Sequence, residues 1–273
     1  MKFGFVIPLG SAHEYVDLAV EIENAGWDAA FGWEAVYGLD PWVIFGAIAT
    51  RTSRIRIGPL LTPPSRRRPW KLASEVATVD LLSDGRAVLI VGLGAPEVGF
   101  AQVGESIDRR ERAELLDESL ELMQLFWSGE RFRFDGKHYQ VDWREMNDWR
   151  MKPVQQPRVP LWTVAKWPVK KSMDRAYRLD GVLPFVAGET PMQNAISAAD
   201  IAAMRAEANE RKGPDAPFDI VIEGVTPIGD EAALERVKSF AEAGANWWVE
   251  SMWGAPGGIE AVRERIKAGP PTF

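Results

Sequence analysis

The chain has no cysteine and only two histidines, His13 and His138, among 273 residues. Without thiols there is no disulfide scaffold, no cysteine-ligated zinc and no thiolate nucleophile, and the composition suits a reducing compartment. Two histidines do not make a multi-histidine metal centre, so no metal site is expected. Basic residues are outnumbered: 32 Lys and Arg stand against 39 Asp and Glu, a net charge of −7. That balance argues against nonspecific nucleic-acid binding as the main task. No apolar run approaches the ~20 residues that span a bilayer. The apolar segment at residues 3–8 is too short for an export signal. The expectation is a soluble, cytoplasmic protein that acts on a small organic molecule, with neither membrane nor nucleic acid as partner.

What the chain does have is a rhythm. Short apolar runs at residues 3–8, 28–33, 55–61, 87–93, 161–164, 181–184, 219–223 and 246–250 read as strands, several apolar on both faces as buried parallel strands must be. Helical patterns separate them. Tyr15, Val16, Leu18, Ala19, Ile22 and Ala25 recur at helical spacing and stop at Gly26. Pro41 and Pro69 open the next two helices, proline being favoured in a first turn, and the second of these runs to Leu82. Leu115, Leu116, Leu120, Leu122, Met123, Phe126 and Trp127 form one stripe of a long fourth helix. Further helices are expected over 169–179, 192–211, 232–243 and 259–266. Eight βα units without a composition break predict an α/β fold, a (β/α)8 TIM barrel over residues 1–273 as a single domain. An open doubly wound sheet is the alternative. Residues 129–158 interrupt the rhythm. There Phe132-Arg133-Phe134, Asp135-Gly136 and His138-Tyr139-Gln140-Val141 predict a hairpin inserted between helix four and strand five.

In such a barrel the chemistry sits at the C-terminal ends of the strands. Glu34, Glu223 and Glu250 fall there, with Lys166 and several aromatics, and no Ser-His-Asp arrangement is evident. Glu34 and Glu250 are the candidate catalytic carboxylates. A carboxylate at a strand end also serves to pair with an arginine or cap a helix. Trp33, Trp162, Trp247, Trp248 and Trp253 lie on or next to strand ends, either packed between barrel and helices or lining a flat apolar pocket for a planar ring. Trp247 and Trp248 must face opposite sides, one to the barrel and one to the helices. Gly92-Leu93-Gly94 lacks the third glycine of a dinucleotide fingerprint. Arg66-Arg67-Arg68 reads as a solvated basic run. Lys166, Lys170 and Lys171 flank a helix start, where amides and positive charge together hold a phosphate.

Taken in order, several segments resemble the luciferase-like flavin monooxygenases, a barrel superfamily that also contains deazaflavin-dependent reductases and dehydrogenases. The matching stretches are Ala25-Gly26-Trp27-Asp28, Arg66 to Ala73, Thr78 to Arg86, Val91-Gly92-Leu93-Gly94, Phe126-Trp127-Ser128-Gly129, Phe134 to Tyr139, Lys152-Pro153-Val154-Gln155, Pro160-Leu161-Trp162 and Asp180-Gly181. With matches running on to Gly269-Pro270-Pro271, they cover essentially the whole chain. The resemblance implies a flavin or deazaflavin ring across the barrel mouth, against a bulge at Leu61-Thr62 where relatives often carry a non-prolyl cis peptide. It implies that Leu93, Gly94 and Ala95 line the cofactor and that Ala165, Lys166 and Trp167 approach its phosphate, although the glycine pair of relatives is missing after strand five. Many deazaflavin enzymes carry Asp-His after strand two; here Glu34-Ala35 keeps the acid and lacks the histidine.

The expected activity is that of a flavin-dependent oxidoreductase or monooxygenase, with hydride transfer at the ring. FMN is the first candidate cofactor and coenzyme F420, a deazaflavin without oxygen chemistry, the alternative. The rivals are a hydrolase or isomerase on the same barrel using Glu34 and Glu250, and a non-catalytic flavin-binding protein. Trp42, Val43, Ile44, Phe45, Ala47, Ile48 and Ala49 make the second helix apolar nearly all round, more than one barrel-facing stripe requires. That excess predicts a homodimer, the resemblance implying pairing through the second and third helices, unless residues 35–39 cover the face.

Overall fold

The computed structural model describes residues 1–145, 151–186, 195–255 and 257–273. In chain order the elements are β1 (Lys2–Ile7), α1 (Ala12–Asn24), β2 (Ala29–Gly32), α2 (Pro41–Arg51), β3 (Arg56–Pro59), α3 (Pro69–Leu82), β4 (Leu89–Val91), α4 (Arg109–Ser128), β5 (Arg133–Asp135), β6 (Gln140–Asp142), β7 (Leu161–Trp167), α5 (Lys170–Tyr177), β8 (Gly181–Val186), α6 (Ala198–Lys212), β9 (Asp219–Gly224), α7 (Glu231–Glu242), β10 (Trp247–Ser251) and α8 (Gly258–Lys267). Eight strands pair in parallel in the order β3-β2-β1-β10-β9-β8-β7-β4. Bridges from Ile57 to Ala87 and from Thr62 to Val91 join β3 to β4 and bring the ring to closure. The two remaining strands, β5 and β6, form an antiparallel ribbon between α4 and β7.

Local chemistry explains where the helices begin. Ser11 and Glu14 form a capping box at α1, and Ser197 with Asp200 forms another at α6. Asp40 caps α2 ahead of Pro41, and Asp108 caps α4. The Ser197 box sets α6 to start later than the expected residue 192, of which 192–194 lie outside the described residues. Strand β8 runs on through Pro184 to Val186, and β7 extends past the expected Val164 to Trp167.

The barrel interior is filled by Val6, Ala29, Phe31, Leu60, Val88, Ile90, Trp162, Leu183, Val221, Trp247 and Val249. Trp162 and Trp247 meet edge to face at 5.3 Å. Trp248, one residue on, packs outward against Phe240 of α7, as strand alternation requires. The interior is therefore a packed plug. Among the described residues no helix is long and apolar enough to cross a membrane.

Candidate active site

A cavity of about 800 Å³ opens at the C-terminal ends of β2, β3, β4, β7 and β8. Trp33 and Glu34 follow β2, Leu60 and Leu61 follow β3, and Leu93, Gly94 and Ala95 follow β4. Val164 and Lys166 project from β7 and Phe185 from β8. The first turn of α4, with Arg109, Arg110 and Arg112, and helix α5, with Lys171, Ser172 and Arg175, close the other side. Six sequence candidates thus share one cavity: Glu34, Leu61, Leu93, Gly94, Ala95 and Lys166. The Leu60–Leu61 peptide bond is cis. A Cβ on Gly92 would stand 2.7 Å from the Leu61 side chain, and one on Gly94, whose φ is +72°, 2.6 Å from the Phe100 ring. Glycine is needed at both so that Leu61 and Phe100 can close onto the end of β4.

Glu34 is only 3% exposed at its side chain. Arg67 Nε donates to its Oε1 at 3.0 Å, and an Arg66 nitrogen lies 3.8 Å from the same oxygen. Its other oxygen, Oε2, is buried without a hydrogen-bond partner. Burial pushes the Glu34 carboxyl above its ordinary range, against the pull of the Arg67 charge. Arg67 also reaches Glu75 at 2.7 Å and Asp40 at 3.1 Å. Arg66 donates to the carbonyls of Ala35 and Val36 and lies over the Phe100 ring. Two members of the basic run at 66–68 are therefore structural and turned inward; only Arg68 is exposed.

Arg112 clamps the turn after β4 by donating to the carbonyls of Leu93 and Gly94, while its buried Nε has no partner. Burial lowers its pKa from the ordinary value. Lys166 Nζ stands 5.6 Å from the centre of the Phe185 ring, and its backbone N–H donates to the Ser172 hydroxyl at 2.9 Å. Lys170 points elsewhere, paired with Asp174.

Four candidates lie outside this cavity, three because of the two-residue period of a strand. Ala165 and Trp167 flank Lys166 and so face the helices; the Trp167 indole donates to Asp200 of α6 at 2.9 Å. Glu250 shares the outer face of Trp248. It is fully buried, 3.3 Å from Arg265 of α8, and accepts from the Thr226 N–H and hydroxyl. A carboxylate so enclosed reaches no ligand at the mouth, and the expected catalytic pairing of Glu34 with Glu250 is not assembled. Thr62 is also buried, its hydroxyl accepting from the Trp42 indole of α2 at 3.1 Å.

The cations of α4 are the site residues that sequence reasoning missed. Arg109, Arg110 and Arg112 sit in the first turn of a helix, where the dipole disfavours positive charge. Three arginines in that position are the signal that was available.

Fold and cavity together define a (β/α)8 barrel with a large cavity at its C-terminal mouth. The chain belongs to the luciferase-like monooxygenase family, whose family model matches residues 1–267. It is 34% identical over 167 residues to an F420-dependent glucose-6-phosphate dehydrogenase of Nocardia farcinica, covering 57% of this chain and 48% of that one. The chain thus spans about half the length of such curated relatives. Its fold is similar to that of the coenzyme F420-dependent tetrahydromethanopterin reductase of Methanopyrus kandleri, with a TM-score of 0.76, 17% identity, and 97% and 96% of the two chains covered. It is also similar to the FMN-bound oxygenating constituent of 3,6-diketocamphane monooxygenase of Pseudomonas putida, with a TM-score of 0.64, 18% identity, and 82% and 67% covered.

Proposed function

We propose that the chain is an oxidoreductase that holds coenzyme F420 across the barrel mouth and passes hydride to a small organic substrate. The observation that carries this reading is the charge of the mouth cavity. Seven cationic side chains line it against three acidic ones, in a chain of net charge −7. Among the described residues Arg109, Arg112, Lys166 and Lys171 have no acidic partner within ion-pair distance, whereas Arg175 holds Asp117 and Arg110 holds Glu114. The single phosphate of FMN would use the α5 end alone. A deazaflavin tail, with a phosphodiester followed by carboxylates, would use the α4 end as well. The naming of relatives as F420-dependent supports the same choice.

The cavity is of a size that holds a cofactor. It also presents two buried polar atoms without partners, the acceptor Glu34 Oε2 and the donor Arg112 Nε, which a bound ligand would satisfy. Lys166, Lys171, Ser172 and the first amides of α5 would hold the phosphodiester. Leu61, Leu93, Gly94 and Ala95 would flank the ring and keep water from it. When bound, a deazaflavin supplies hydride transfer without oxygen chemistry. Glu34 keeps Oε1 fixed on Arg67 and exchanges a proton at Oε2. With alanine at position 35 no histidine follows Glu34 in the chain, so the proton that accompanies hydride transfer, in either direction, falls to Glu34.

The test is a parallel titration of the protein with coenzyme F420 and FMN, read by absorbance and fluorescence. Coenzyme F420 should bind at least tenfold tighter than FMN and lose affinity more steeply with salt. Lys166→Ala should weaken it by about 1–2 kcal/mol, the scale of one charge-assisted hydrogen bond. The reverse order of affinities would install FMN and oxygenase chemistry instead. Binding of neither would overturn the cofactor reading.

A further inference from the structure

A smaller pocket, of about 320 Å³, adjoins the mouth cavity. The turn after β1, the segment that follows β2, Tyr15 of α1 and Ile44 and Phe45 of α2 enclose it. Three consecutive residues connect the two spaces. Trp33 lines both, Glu34 lines the mouth cavity alone and Ala35 the pocket alone. This shared wall is pinned in place. Arg66 donates to the carbonyls of Ala35 and Val36, and Arg67 joins Glu34 to Asp40, whose carboxylate caps α2. The pocket is therefore formed before a ligand arrives, and little ordering remains to oppose binding.

The chemistry of the pocket is the opposite of that of the mouth. Seven cationic and three acidic side chains line the mouth, whereas among the described residues no charged side chain lines the pocket. Its polar groups are already engaged. The Tyr15 hydroxyl donates to the Ile7 carbonyl at 2.8 Å and the Trp33 indole to the Pro8 carbonyl at 3.0 Å, while the Tyr37 ring stands in solvent. What remains to a ligand is the surface of Tyr15, Trp33, Pro41, Ile44 and Phe45, which favours an apolar group and above all a ring. An anion placed there would lose its water and gain no counter-charge. The space also depends on a small residue. Position 35 carries only a methyl group, and a larger side chain there would occupy the pocket.

We infer that this pocket receives the apolar, uncharged end of the organic substrate, a group about the size of one ring, beside a cofactor held in the mouth. The substrate class is accordingly an uncharged compound with an apolar ring or short alkyl end, and Ala35 sets how large that end can be. The role in the reaction rests on the function proposed above, because Trp33 and Glu34 place the pocket next to the mouth cavity. The pocket's affinity for apolar groups does not rest on it.

The experiment follows 4-fluoroacetophenone, one apolar ring with an uncharged carbonyl, by fluorine NMR on the purified chain. Saturable binding is expected, and benzoate, the same ring bearing a charge, should not displace the probe. Ala35→Leu fills the pocket from the segment after β2 and Ile44→Phe from α2, and neither position lines the mouth cavity. Each should lose about tenfold or more in affinity. Circular dichroism identifies a variant that misfolds, and the two independent fillings keep the test decisive if one does. With coenzyme F420 bound, the probe should keep its affinity within about threefold, since the two ligands occupy adjoining spaces. Absence of saturable binding, displacement by benzoate, or unchanged affinity in the folded filling variants would overturn the assignment. Mutual exclusion of probe and coenzyme F420 would make the pocket part of the cofactor site and overturn the substrate role. If coenzyme F420 itself does not bind, the proposed function fails while the binding to the unloaded chain and to its variants still decides the pocket, so the two failures are distinguishable.

Discussion

Two glutamates at strand ends look alike in the sequence and are put to opposite uses by one geometric fact, the side of the strand on which each falls. Glu34 lines the mouth with one oxygen tied to Arg67 and the other without a partner. Glu34→Gln should keep cofactor affinity within a few fold, because Arg67 retains Glu75 and Asp40, and should lower turnover by ~10²-fold, the usual scale of general acid–base catalysis. Steady-state kinetics on the folded variant decide this, and near-normal turnover would reduce Glu34 to a structural role. Glu250 is enclosed with Arg265. Breaking a buried pair strands the remaining charge, so Glu250→Gln should destabilise the fold by about 3 kcal/mol and leave binding at the mouth unchanged. Urea unfolding beside a cofactor titration separates the two effects. A change in cofactor affinity at unaltered stability would return Glu250 to the site.

At the scale of elements, the periodicity of the sequence was enough to place eight strands and eight helices. It was also enough to exclude Glu250, had the alternation that separates Trp247 from Trp248 been carried two residues further. Other features were out of reach of periodicity. That Arg66 and Arg67 turn inward depends on where Glu34, Asp40 and Glu75 stand in space, which a run of three arginines does not reveal. The β5–β6 ribbon is a further case: its Asp-Gly turn is local, but its docking is tertiary. Glu118 of α4 accepts from the backbone amides of residues 137, 138 and 139, and Glu114 binds Lys137 and His138. Hydrogen bonds from Lys137, His138 and Arg110 hold the Glu114 carboxyl down at about 2, from an ordinary 4.5. Its folded-state pKa is thus below its unfolded one, so its contribution is fully present above about pH 4.5 and fades as the pH falls toward 2. Hydrogen exchange at residues 133–142 should accelerate over that acid window before the barrel strands respond, and Glu114→Gln should remove the window. Simultaneous exposure of ribbon and barrel would show that the ribbon has no separate docking equilibrium.

For the whole molecule the open question is what the outer face of α2 meets. Its apolar excess is mostly spent within the chain: Trp42, Ile44, Phe45, Ile48 and Ala49 are buried. The 35–39 segment meets Pro41, Ile44 and Phe45 around a small pocket, with the Tyr37 ring left in solvent. What remains outside is narrower than the sequence suggested, but it is continuous across two helices. Val43 is 72% exposed, Ala47 lies on the same face, and Leu81 and Leu82 of α3 are about half exposed. Leu82 comes within 3.9 Å of where a Gly46 side chain would begin, so α2 and α3 present these residues together. A contiguous apolar patch on a monomer is uncommon, and a two-fold axis is the most frequent way to bury one. The expected assembly is therefore a symmetric homodimer across α2 and α3. Sedimentation at micromolar concentration should find twice the 30.4 kDa chain mass. Val43→Arg, placed at the most exposed position and touching none of the core, should return the single-chain mass with the fold intact by circular dichroism. A 30.4 kDa species for the unaltered protein would mean that the patch is tolerated in water, and an arginine variant that still dimerises would move the interface to another face.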